Sequence, residues 1–165
     1  MPLVTFSQFR RRSFDNMMFA PNASMEQVTE RLYVDVDETL VFHDGCCGSD
    51  VVLSEVDDEI WDFDFNHPLL KNFPLAKAVI KWQREDPKER EVIVWSANHE
   101  EWVVKAANIF FKGIIPLAGI GRKQELYGTV RPWDCAIDDR TQDMRWYLDQ
   151  FEEVFSPDEF IKLME

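Results

Sequence analysis

Two aspartates one residue apart, Asp35 and Asp37, close the apolar run of "LYVDVDET", and two more, Asp138 and Asp139, stand side by side after "WDCAI". Like charges held on one rim raise one another's pKa and resist desolvation, so folding gains nothing from grouping them. Grouped carboxylates can, however, hold a hard divalent cation through oxygen ligands, and Mg²⁺ suits one or two carboxylates, waters and a substrate phosphate. With that counter-charge in place, an ionised aspartate can attack a phosphoryl group and form an aspartyl-phosphate. The candidate chemistry is therefore Mg²⁺-assisted phosphoryl transfer.

Such chemistry needs elements that bring distant residues to one rim. "RLYVDV" reads as a buried strand ending at the first aspartates, and "EVIVW" as a β-branched strand ending at Ser96. "SANHEEWVVKAANIFFKG" reads as a helix, with Asn98 placed to cap it and Glu100 and Glu101 at its positive end. Val103, Ala106, Ala107 and Phe110 share one face, and Gly113 stops the helix. "IIPLAGI" and "WDCAID" are two further strands, a helix is expected from about "DRTQDMRWYLDQF", and "SPDEFIKLM" opens with a capping box. Upstream, "ASMEQVTER" predicts a short helix, and "PLLKNFPLAKAVIKWQRED" has helical spacing with prolines near starts or bends. Residues 41–65 read as a hairpin or flap.

Strands alternating with helices predict a single α/β domain over residues 1–165, Rossmann-like, with a mostly parallel sheet and helices on both faces. Ligands of such sheets bind beyond the carboxyl ends of the strands. Asp35, Asp37, Ser96, Asp138 and Asp139 all fall there.

"DVDET" (Asp35, Asp37, Thr39), Ser96 of "VIVWS", a lysine before the last motif, and "AIDDR" (Asp138, Asp139) together resemble the four ordered motifs of the haloacid dehalogenase superfamily, from Leu32 to about Leu148. The resemblance implies a fold of that type, capless or with only the small flap. An aspartate at the position of Asp37 implies phosphate-ester chemistry rather than dehalogenation or ion transport. It further implies Asp35 as nucleophile and Asp37 as acid and then base. Mg²⁺ would be held by Asp35, the main-chain carbonyl of Asp37 and one or both of Asp138 and Asp139. Thr39, Ser96 and a lysine would hold the phosphoryl group. Lys123, after the "IIPLAGI" strand, is preferred to Lys112, which a helix dipole explains by itself.

"RKQELYG" and "CAIDDRTQ" are also similar to the 3′-phosphatase domain of phage polynucleotide kinase/phosphatase. That likeness favours Lys123 and a nucleotide or nucleic-acid 3′-phosphate. It departs at Asn98 and Cys46, where arginines would grip a polynucleotide. Asn98, His99 and Trp61 remain as substrate-contact candidates.

The formal charge of −13, from 31 acidic and 18 basic side chains, opposes broad affinity for nucleic acid, which is bound chiefly through clustered Lys and Arg. Arg10 to Arg12 form the one dense basic cluster and read as a solvated end. In "WDFDF", Trp61, Phe63 and Phe65 share a face that reads as packing before base stacking, opposite Asp62 and Asp64. His43, Cys46, Cys47 and His67 lack the ligand spacing of a zinc site, and Cys135 reads as core. Three cysteines without a disulfide pattern, no apolar run of about 20 residues and no signal-peptide order predict a cytoplasmic protein off the membrane. The substrate class is a phosphorylated small molecule or a nucleic-acid end. A small phosphometabolite, a phosphoprotein, a homo-oligomer lending its own lid, and an acidic protein-interaction module on the same fold are the competing expectations.

Overall fold

The computed structural model describes residues 29–43, 54–55, 69–139 and 145–165. Residues 23–28 of the expected "ASMEQVTER" helix, Arg10 to Arg12, most of the 41–65 flap, Trp61, Cys46, Cys47 and His67 lie outside the described residues, while Glu30 and Arg31, read as the end of that helix, open a strand by pairing with Arg90 and Glu91.

Five strands form an all-parallel sheet: β1 (Glu30–Asp35), β5 (Arg90–Ser96), β6 (Gly119–Arg122), β7 (Cys135–Ile137) and β8 (Glu153–Phe155), in the order β6-β5-β1-β7-β8. The chain leaves β1, builds β5 and β6 on one side, then crosses to lay β7 and β8 on the other. That reversal puts the topological switch point between β1 and β7, where the crevice of an open α/β sheet opens. Between β1 and β5, three short strands, β2 (Val41–His43), β3 (Ser54–Glu55) and β4 (Leu69–Lys71), pair antiparallel in the order β2-β4-β3. They are the described part of the predicted flap and its return.

Every residue of β1 after Glu30 is buried, and alternation sends its side chains to two separate cores. Leu32 and Val34, with Val92, Val94 and Ile137, pack against helices α1 (Phe73–Glu85), α2 (Glu100–Phe111) and α4 (Pro157–Leu163) through Leu75, Val79, Val103, Ala106, Phe110 and Phe160. Fully burying each such aliphatic is worth about 1.5–3 kcal/mol. Tyr33, Ile93, Trp95 and Ala136 face the other way, onto Leu126, Tyr147 and Phe151. This second face is covered, among the described residues, by short segments: α3 (Lys123–Leu126) and two 3₁₀ turns, Tyr127–Thr129 and Arg145–Gln150. The parallel sheet and its two covered faces agree with expectation, but among the described residues the long helices lie on one side.

Four local expectations change. Leu69–Lys71, read as the start of a helix, is strand β4; the helix begins after Asn72, whose side chain accepts from Leu75 N, with Pro74 in its first turn. Pairing with β2 and β3 outweighs the local spacing. The "IIPLAGI" strand starts only at Gly119, since Pro116 has no N–H for a ladder and Ile114 and Ile115 bond back to Phe111 O to finish α2. Gly113, at φ 76°, makes that turn. Asn98 does not cap α2: His99 holds the cap position without a side-chain bond, while Asn98 Oδ1 accepts from His99 N at 2.8 Å. Cys135 opens β7 half-buried rather than sitting mid-core, and burial pushes its thiol up to about 11. The Ser156 cap on Glu159 N, at 3.2 Å, is as expected.

Candidate active site

The turn after β1 is what separates Asp35 from Asp37. Val36 O accepts from the N–H groups of Thr39, Leu40 and Val41, and Glu38 sits at φ 58°, a left-handed conformation that costs a non-glycine residue free energy. The chain thereby folds back at once, leaving Asp35 fully buried and Asp37 half-exposed on the turn. Asn72 clamps this turn: its Nδ2 donates to Thr39 O at 3.0 Å, its N donates to Leu40 O at 2.8 Å, and its Oδ1 caps α1. Replacing such a cap costs about 1 kcal/mol of helix stability, and here it would also release the aspartate turn.

Three strand ends meet around Asp35. Thr39 Oγ1 donates to Asp35 Oδ2 at 3.0 Å. Lys123, the first residue past β6, puts Nζ 2.9 Å from Asp35 Oδ1 and 2.9 Å from Asp138 Oδ2, over the Trp95 ring. Gly121 lets the following turn close, for a Cβ there would lie 3.1 Å from Leu126. Asp35, Asp138 and Asp139 each offer an oxygen, all within 4.8 Å of one another. Burial pushes the Asp35 carboxyl well above the usual range; Lys123 opposes this, while Asp138 and Asp37 add to it. Burial would pull Lys123 down, but Asp35 and Asp138 hold it above its ordinary value, so it stays an ammonium.

Lys123 thus pairs with two of the three clustered carboxylates. The Asp35 Oδ1 atom is buried with the Lys123 ammonium as its charge partner. A hard dication with an octahedral shell places neighbouring ligand oxygens about 3 Å apart and opposite ones about 4 Å apart. The three carboxylates, within 4.8 Å of one another, offer oxygens near the spacing such an ion needs. Their donor set is all oxygen, which suits Mg²⁺, Ca²⁺ or Mn²⁺ before a softer metal.

Asp37 stands apart from that group. Its Oδ2 accepts from Ser96 Oγ at 2.6 Å and its Oδ1 from Trp102 Nε1 at 3.1 Å. Ser96, fully buried at the end of β5, also accepts from Asn98 N at 3.0 Å. Thr39 is turned onto Asp35, so its hydroxyl orients that carboxylate. Asn98 and His99 are exposed at the start of α2. Lys112 lies exposed at the far end of α2, about 18 Å along the helix axis, leaving Lys123 as the lysine of the cluster.

Sequence reasoning missed Asn72, Trp102 and Gln124, whose Nε2 holds Ala97 O at 2.9 Å behind Ser96. Asn72 was readable, as an Asn followed by an apolar residue and Pro74 at a helix start. An indole N–H reaching back across a strand end leaves no such mark. Among the described residues, no helix is long and apolar enough to cross a membrane. No protein-family model matches the chain, and no curated protein matches it.

Proposed function

We propose that the protein is a Mg²⁺-dependent phosphomonoesterase acting through an aspartyl-phosphate, on a nucleotide or nucleic-acid 3′-phosphate. One observation carries the reading: an oxygen from each of Asp35, Asp138 and Asp139 comes within 4.8 Å of the others beside the switch point of a parallel sheet, with Lys123 held between Asp35 and Asp138. The resemblance of the aspartate motifs to haloacid dehalogenase phosphatases points the same way, and the likeness of "RKQELYG" and "CAIDDRTQ" to a polynucleotide 3′-phosphatase domain suggests the substrate class.

Asp35 is the nucleophile and Asp37 the proton carrier. Asp35, with Asp138 and Asp139, would hold the metal, joined by the main-chain carbonyl of Asp37; the bound ion would offset phosphoryl and carboxylate charge so that the two can meet. Lys123 and Ser96 donate to the phosphoryl oxygens, and Thr39 fixes the attacking carboxylate. An Asp35 oxygen bonds to phosphorus as the ester P–O bond breaks, and Asp37 gives its proton to the departing oxygen. A water then attacks the acyl phosphate, Asp37 takes its proton, and inorganic phosphate leaves with Asp35 restored.

Hydrolysis of p-nitrophenyl phosphate with and without Mg²⁺ tests the reaction class; turnover that ignores chelation contradicts it. A panel of 3′-phosphorylated oligonucleotides, mononucleotides and sugar phosphates then tests the substrate. Preference for the oligonucleotides or mononucleotides supports the reading, and turnover of sugar phosphates alone replaces it with a small phosphometabolite.

A further inference from the structure

Asp37 is held from two sides by donors of different kinds. Ser96 Oγ has one proton, and at 2.6 Å from Asp37 Oδ2 that proton is committed to Asp37. Binding a phosphoryl oxygen through Ser96 therefore takes the hydroxyl away from Oδ2. Trp102 Nε1 is a donor with no acceptor capacity, and its ring is buried in the α2 face of the core. If Asp37 left, the indole N–H would lose its acceptor in a part-buried place, a cost that holds Oδ1 where it is.

We infer that Trp102 is a positioning residue for Asp37: it keeps Oδ1 while Ser96 turns to the phosphoryl group, so that Oδ2 alone carries the proton. This role presupposes the phosphatase reading above. In the first half-reaction the Oδ2–H bond breaks as the ester oxygen leaves phosphorus and takes the proton. In the second, Oδ2 takes a proton from the water that forms the new P–O bond. Trp102 touches neither substrate nor reacting atoms; it acts through Asp37.

The test is single-turnover phosphorylation of wild type and Trp102→Phe, with Mg²⁺, by two esters that differ in leaving group. An alkyl phosphate needs its departing oxygen protonated, whereas dinitrophenyl phosphate releases a stable phenolate. Trp102→Phe should slow the alkyl ester about 10-fold or more and the aryl ester less than about twofold in this step, with KM little changed. Equal slowing of both esters, or of neither, overturns the inference while leaving the phosphatase reading intact. Wild type that turns over neither ester overturns that reading and the inference with it. Should Trp102→Phe fail to fold, the indole N–H resonance of Trp102 provides a second readout. It should shift and exchange faster with solvent in Asp37→Ala, and a resonance that stays put overturns the Trp102–Asp37 contact.

Discussion

At the amino ends of the strands, Arg31 Nε lies 2.8 Å from Glu91 on the neighbouring strand. Beside them, Arg131 pairs with Asp134 at 2.8 Å and reaches Thr29 O at 2.7 Å. At the carboxyl ends, about 13 Å further along β1, Lys123 faces Asp35, Asp138 and Asp139, with Asp37 beyond. At one end two guanidinium groups pair with two carboxylates, whereas at the other Lys123 lies between Asp35 and Asp138, with Asp139 close by. A buried charge is tolerated when paired and hydrogen-bonded. The amino-end cluster is built of one-to-one ion pairs, Arg31 with Glu91 and Arg131 with Asp134, as a structural fastening is. The carboxyl-end cluster instead gathers three carboxylates within 4.8 Å of one another, an arrangement that a hard cation would stabilise.

The comparison breaks most sharply on activity. Asp35→Asn should lower phosphatase kcat by at least about 10³-fold, while Glu91→Gln, equally buried but at the other end, should leave kcat within about twofold. Steady-state assays on both variants decide it; comparable losses would mean that the two ends do not differ in kind.

On stability the order inverts. Glu91→Ala removes the carboxylate from the Arg31 pair and should cost about 3–5 kcal/mol in urea unfolding. Mg²⁺ should act only at the carboxyl end, adding ~2.7 kcal/mol at about 100 Kd, and Asp138→Asn should remove most of that gain without touching the Arg31 pair. A Mg²⁺ shift that survives Asp138→Asn would place the ion elsewhere.

The smallest expected effect is in pH. Asp35 is held above its ordinary value of 3.8, first by burial, so the folded state binds its proton more tightly than the unfolded chain. Its contribution to metal-free stability is fully present below 3.8 and is lost as pH rises through the raised folded value. In chelator, Asp35→Asn should therefore unfold at a higher temperature than wild type near neutral pH and show a shallower decline with pH. Some slope should remain, because burial also raises Asp134 against the pull of Arg131. A steeper decline in Asp35→Asn would reverse the sign assigned to this carboxyl.

The parts legible in the sequence were those whose signal is local. A strand that ends in carboxylates shows both its apolar run and its charges, so Asp35, Asp37, Ser96, Lys123, Asp138 and Asp139 could be placed at strand ends before any coordinates. Trp102 and Asn72 act across the fold, one through a single N–H onto a turn 65 residues away, the other by holding the Asp35–Asp37 turn and starting α1 together. Strand β4 shows the same limit, since its partners β2 and β3 supply what its own spacing does not.

The central claim is that the carboxylate cluster at the carboxyl ends transfers phosphoryl groups through Asp35. Quenching a turnover reaction in acid, digesting the protein and mapping peptides by mass tests it directly. The mass of one phosphoryl group on Asp35, appearing with substrate and Mg²⁺ and lost on a chase with water, is the predicted result. Sustained turnover with no label on Asp35, or with the label on another residue, would contradict the account.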